Sequence, residues 1–181
     1  MTFEQIIEQC INNDRRAQKE LFYRYAPLCM SVAQRYLGSS AQASDIVQES
    51  MIRIFHHLSQ LEVREEHTFK AWMARITSRE AIRWRNKQGR FIFQEELSPD
   101  HFAPTLPQDV TFQREELQKM LMQLPEGYRM VFNLYVIEEY SHKEIAELLE
   151  ITPSASRSQL SRARAKLQAL MAQKKVYEKV S

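Results

Sequence analysis

Apolar residues recur at helical spacing in one segment after another along this chain, which predicts a protein built from helices. Phe3, Ile6, Ile7 and Cys10 mark a short amphipathic helix, and Asn12-Asn13-Asp14 interrupts it, with Asp14 placed to cap the next. Ala17, Leu21, Phe22 and Tyr25 resume the spacing; Leu28, Val32, Tyr36 and Leu37 carry it to a C-cap and turn at Gly38-Ser39-Ser40. Pro27 inside that run removes a backbone donor and predicts a kink. A helix from near Ser44 buries Val47, Met51, Ile54, Phe55 and Leu58 and turns Asp45, Gln48, Glu49, Ile52, Arg53 and His56 outward. A charged loop, Leu61 to Thr68, leads to a third long helix that runs from Phe69 toward Phe91.

Between Phe93 and Asp109 the pattern stops. Pro99, Pro104 and Pro107 stand there with Glu95, Glu96, Asp100 and Asp109, a mixture that predicts an extended acidic linker. The helical period returns with Leu117, Met120, Leu121 and Leu124, breaks at Pro125-Glu126-Gly127, and resumes with Tyr128, Val131, Phe132 and Tyr135. Ser141 and Glu144 have capping-box spacing ahead of Ile145, Leu148 and Leu149, where Ala146 leaves room for close packing. Glu150-Ile151-Thr152 is a short connection, and Thr152-Pro153 opens a last helix with Leu160, Ala163, Leu167 and Leu170 on one buried stripe. A short helix, a tight turn and a longer basic helix make a helix-turn-helix. The fold class expected is all-α, with two small helical domains joined by an extended linker.

Composition agrees: among 181 residues, 27% are charged and only three are Gly, which favours helices. A net charge of +2 says little about partners, so the distribution of charge has to carry any nucleic-acid signal. No acid occurs from Thr152 to Val176. Ser154, Ser158 and Ser161 fall opposite the buried stripe with Arg157 and Arg162 beside them, a face suited to phosphates and base edges. Charge alone favours a solvated basic helix. In the third helix Lys70, Arg75, Arg79, Arg83, Arg85, Lys87 and Arg90 face a single acid, Glu80, and are interleaved with Phe69, Trp72, Trp84 and Phe91. Trp72, Ile76, Arg79 and Arg83 come together at helical spacing, a combination suited to unpaired bases, although each Trp taken singly reads as core. Asp45 and Glu49 are accounted for by a helix dipole, whereas Ile52 is an apolar residue on a charged face.

Other chemistries find no support. Cys10 and Cys29 have no metal-ligand or disulfide spacing, and no P-loop, dinucleotide fingerprint, nucleophile elbow or zinc motif occurs. His56 and His57 diverge on a helix, while His67, His101 and His142 stand alone on polar segments. The stretch MTFEQIIEQCINND carries acids within its apolar pattern and lacks a signal-peptide hydrophobic core, and no apolar run approaches the length of a membrane span. The expectation is a soluble, cytoplasmic protein that is not an enzyme, with no cofactor, no metal, no small-molecule substrate and no membrane insertion.

With both halves in view, the chain resembles the extracytoplasmic-function (ECF) sigma factors of bacterial RNA polymerase, in the sigma-70 family. The resemblance covers nearly the whole chain and rests on three stretches in the family's order: SDIVQESMIRIF from Ser44, FKAWMARI from Phe69, and LPEGYRMVFNLYVIEEYSHKEIAELLEITPSASRSQLSRARAKL from Leu124 to Leu167. It implies an N-terminal domain at 1–92 that binds polymerase and melts promoters, a linker at 93–111, and a C-terminal helix-turn-helix domain at 112–181. Asp45, Gln48, Glu49, Ile52 and Arg53 would dock on a coiled coil of the largest subunit of core RNA polymerase. Lys70, Trp72, Arg75, Arg79, Arg83 and Lys87 would bind the single-stranded −10 element of promoter DNA, and the loop Leu61 to Thr68 would help select an extruded base. Ser154, Arg157, Ser158, Ser161 and Arg162 would read the duplex −35 element, and the linker would thread the RNA exit path. An anti-sigma factor is a partner class that the resemblance admits.

The chain departs from the family pattern at Arg79, where Asn is usual, Arg83 (Asp), Ser156 (Val) and Glu150 (Gly). Two rival functions make different predictions. A free-standing helix-turn-helix regulator would bind duplex DNA tightly alone, with a two-fold footprint. A protein-only adaptor would leave both basic helices inert.

Overall fold

The computed structural model of the chain describes residues 1–38, 40–61, 65–89 and 114–180. All of the regular elements among them are helical. The chain divides into two compact units, Met1–Gln88 and Gly89–Ser181. The expected linker at 93–111, together with Arg90 and Phe91, lies outside the described residues.

The first unit comprises α1 (Phe3–Ile11), α2 (Arg15–Leu37), α3 (Ser40–His57) and α4 (Glu66–Gln88), with a 3₁₀ turn at Leu58–Gln60 after α3. Local side chains set the helix starts. Thr2 and Gln5 form a capping box on α1, and Asp14 Oδ1 accepts the Ala17 N–H at 2.8 Å to start α2. Gly38 ends α2 in the left-handed region at φ 72°, where it returns its N–H to the Gln34 carbonyl. Pro27 sits within α2, which the chain forms as one continuous helix. Its core face is Leu21, Tyr25, Cys29, Val32 and Tyr36; Cys29 takes the place expected of Leu28, which is only half-buried.

Two starts fall earlier than the sequence suggests. α3 begins at Ser40, a turn ahead of Ser44, and α4 begins at Glu66, so Glu66–Thr68 belong to a helix and not to a loop. The Phe69 N–H already bonds the Glu65 carbonyl, and the Glu66 side chain is anchored by Tyr25 Oη at 3.0 Å, Arg24 at 3.1 Å and Lys70 at 3.0 Å. Tyr25 and Arg24 are long-range partners, invisible to local periodicity.

Phe69 is the hub of the unit. Fully buried, its ring lies 5.3 Å from Phe3, 5.2 Å from Tyr25 and 5.7 Å from Trp72, tying α1 and α2 to α4. Leu21, Tyr36, Ile54, Leu58, Met73 and Ile82 complete the core, each such side chain contributing about 1.5–3 kcal/mol relative to exposure. Ser50 and Thr77, also buried, spend their hydroxyls on the carbonyls of Ile46 and Met73 one turn back. Trp72 and Trp84 are not core residues, contrary to the single-residue reading: both, like Ile76, are half-buried, because Phe69, Met73, Thr77 and Ala81 occupy the inward face of α4.

In the second unit α5 (Arg114–Met122), α6 (Glu126–Phe132), α7 (His142–Leu149) and α8 (Pro153–Val180) enclose a core of Leu121, Met130, Leu134, Ile145, Leu149, Leu160, Ala163 and Leu167. Leu170, expected on that stripe, is half-buried. α6 runs on as a π-helical turn at Asn133–Ile137, in which the Glu138 N–H reaches back to the Asn133 carbonyl at 3.1 Å. A wider turn inserts a residue into the helical count. Leu134 is therefore buried, and Tyr135, expected on the apolar stripe, is 36% exposed.

Candidate nucleic-acid interface

The helix-turn-helix is built by caps at each joint. Ser141 accepts the Glu144 N–H at 3.3 Å, while Glu144 Oε2 accepts the Ser141 N–H at 2.8 Å. α7 stops because Glu150 turns left-handed, at φ 55° and ψ 43°. Ile151 then donates to the Ala146 carbonyl at 3.0 Å, and Thr152 Oγ1 accepts the Ala155 N–H at 3.0 Å to open α8. The turn is thus formed with Glu where Gly would be strain-free.

On α8, Ser154, Arg157 and Ser158 are exposed, whereas Ser161 and Arg162 are half-buried. Leu160 and Ala163 face the core, as does Ser156, whose hydroxyl lies 2.9 Å from His142 Nδ1 on α7. The hydroxyl is satisfied there by a partner from the facing helix. His142 in turn stacks on Tyr135 at 4.4 Å and 20°, and the Arg164 guanidinium lies 5.9 Å from the centre of that ring. Burial, then the charges of Arg157 and Arg164, push the His142 imidazole below its ordinary value. The sequence reading of His142 as an isolated surface histidine is therefore wrong: it joins the two helices of the motif.

On α4 the structure gathers Trp72, Ile76, Arg79 and Arg83 along one side of a cleft of about 360 Å³, and Arg53 and His57 of α3 face them. Glu80 lies beneath, 7% exposed, with Oε1 2.6 Å from both Arg53 Nε and Arg83 Nη1. Lys70 is not part of this group. Nine residues before Arg79, it lies about two and a half turns away, on the opposite side of α4, and pairs with Glu66. Arg75 and Lys87 are exposed outside the cleft lining.

The outer face of α3 presents Asp45, Gln48, Glu49, Ile52 and Arg53, all exposed, with Ile52 at 63%. The helix dipole does not account for its acids. With α3 starting at Ser40, neither Asp45 nor Glu49 falls in the first turn, where that effect is concentrated.

Sequence reasoning missed Glu80 as an organiser and missed the Tyr135–His142–Ser156 junction. The three-residue spacing of Glu80 and Arg83 was a signal for the first. Arg53 lies 27 positions from Glu80, and nothing local pairs them. Among the described residues no cluster of His, Cys, Asp or Glu is placed to hold a metal ion, and no helix is long and apolar enough to cross a membrane. Burial and then Asp14 push the Cys10 thiol up to about 11, and burial raises Cys29, so neither is primed as a nucleophile.

Comparison with known proteins supplies two family matches, Sigma-70 region 2 over residues 21–91 and Sigma-70, region 4 over residues 114–167. The ECF RNA polymerase sigma factor SigW of Bacillus subtilis is 26% identical over 177 residues, spanning 91% of this chain and 94% of that protein. The ECF RNA polymerase sigma-E factor of Haemophilus influenzae is 28% identical over 177 residues, spanning 91% and 92%. Among solved structures, the sigma factor RpoE of Bartonella quintana, in complex with the anti-sigma factor NepR, matches with a TM-score of 0.51 at 21% identity, over 85% of this chain and 96% of that one.

Proposed function

This chain belongs to the sigma-70 family as an ECF sigma factor, and from that premise we propose how its surfaces divide the work of starting transcription. It binds core RNA polymerase and directs initiation at specific promoters; the polymerase carries the chemistry, and the chain works beside it in the cytoplasm. The α3 face of Asp45, Gln48, Glu49 and Ile52 docks on the polymerase, with Arg53 at its edge. Trp72, Arg79 and Arg83 hold the separated −10 strand, and Arg75 and Lys87 add charge for its phosphates. Ser154, Arg157, Ser158, Ser161 and Arg162 read the −35 duplex from the N-terminal half of α8. An anti-sigma factor, the kind of protein bound to the Bartonella RpoE, is a further partner class within this reading.

The observation that carries the proposal is the pairing of an exposed apolar Ile52 in a polar face on α3 with an aromatic and guanidinium cleft formed where α3 meets α4. Docking and strand capture thereby occupy neighbouring helices of one unit.

Transcription in vitro tests it, using core polymerase and fragmented genomic DNA with and without the chain. Defined start sites that depend on the chain are expected, and Arg157→Ala with Arg162→Ala should reduce them at least about tenfold by removing phosphate and base contacts. Protection of duplex DNA by the chain alone, without new start sites, would instead establish a free-standing regulator.

A further inference from the structure

At the seam of α3 and α4 one buried carboxylate holds two guanidiniums from different helices. Arg53 and Arg83 remain 44% and 48% exposed at the side chain while each bonds Glu80 Oε1 at 2.6 Å. A guanidinium has five N–H donors, so each arginine keeps donors that Glu80 does not use. A free arginine on a surface samples many rotamers. Held by a charge-assisted bond to an immobile acid, it loses that freedom before any ligand arrives, and less is lost on binding. The cleft they border, of about 360 Å³, is also lined by Trp72, Ile76 and Arg79. Sites for small molecules run from about 300 to 1,000 Å³, so one nucleotide is of the right scale. Three arginines against one glutamate leave the lining positive, which suits an anionic occupant with a flat apolar base.

We propose that Glu80 is a positioning residue of the single-strand interface: from beneath the cleft it aims Arg53 and Arg83 at one unpaired nucleotide lodged beside Trp72 and Ile76. This rests on the sigma reading and extends it, because it moves Arg53 from the docking face to the strand site. Glu80, although part of the cleft wall, acts through the two guanidiniums it holds.

The test uses holoenzyme reconstituted with the full chain and a fluorescent oligonucleotide carrying the non-template −10 strand of a promoter found by the transcription experiment. Glu80→Gln should weaken strand binding about tenfold, the scale of one charge-assisted contact, while leaving affinity for core polymerase unchanged. In a chain already carrying Arg53→Gln and Arg83→Gln, adding Glu80→Gln should cost nothing more. A purely structural role would give the same further loss in both backgrounds, and that result would overturn the proposal, as would strand binding by Glu80→Gln equal to wild type. Wild-type holoenzyme that binds the strand no better than core polymerase alone would bring down the sigma reading and this inference together. Should Glu80→Gln fail to fold, Arg83→Lys reads the same arm, since it keeps the charge and loses the fork. Unchanged strand affinity there would also count against the proposal.

Discussion

Two side chains show how much a single position can carry. Ile52 is exposed on a polar face, so Ile52→Glu should leave the melting free energy within about 0.5 kcal/mol. Binding to core polymerase, measured by competition or calorimetry, should weaken at least about tenfold, as expected when a charge is placed in an apolar contact. A melt lowered by several degrees would instead show that Ile52 supports the fold. His142 predicts a pH dependence. Its folded-state value lies below the ordinary 6.5, through burial and then Arg157 and Arg164. Between the two values the unfolded chain binds more protons than the folded one. Stability from this group is therefore complete above about pH 6.5 and falls as the pH drops toward the folded value. Thermal melts across that window should show wild type losing more stability on acidification than His142→Asn, and parallel curves would refute the assignment.

At the scale of elements, the turn between α7 and α8 carries a measurable strain. Glu150 holds φ 55°, where a β-carbon costs of order 1–2 kcal/mol, partly offset in a Gly replacement by the greater freedom of the unfolded chain. Glu150→Gly should therefore stabilise the second unit by roughly 0.5–1 kcal/mol in chemical denaturation. A loss of stability would mean that the Glu150 side chain makes a compensating contact. The π turn at Asn133–Ile137 shows the opposite relation between sequence and element. Tyr135 has the right spacing for a buried stripe, yet the wider turn brings it out to stack on His142. A periodicity argument assumes a constant turn, and one added residue defeats it.

For the whole molecule, the first unit closes its core with residues before Gln88: Phe3 from α1, Leu21 and Tyr36 from α2, Ile54 from α3, Phe69 and Ile82 from α4. A fragment ending at Gln88 should therefore remain helical by circular dichroism and melt cooperatively, whereas a broad, non-cooperative melt would show that it needs the rest of the chain. The same unit places the proposed docking face on α3 and the strand cleft between α3 and α4, so that fragment should also compete for core polymerase.

Local rules sufficed for much of this protein. Helical period, the caps at Asp14, Ser141 and Thr152, and the C-cap at Gly38 depend on residues within four positions of one another, and all could be read directly. So could the exposure of Ile52 and the convergence of Trp72, Ile76, Arg79 and Arg83, because a helix repeats its faces on a fixed schedule. Tertiary structure decided the pairings between helices. Only packing brings Arg53 to Glu80, Ser156 to His142, and Tyr25 and Arg24 to Glu66. Such contacts turn on the distance and angle at which two helices meet, and those are set by how the whole core fills, which no local spacing encodes.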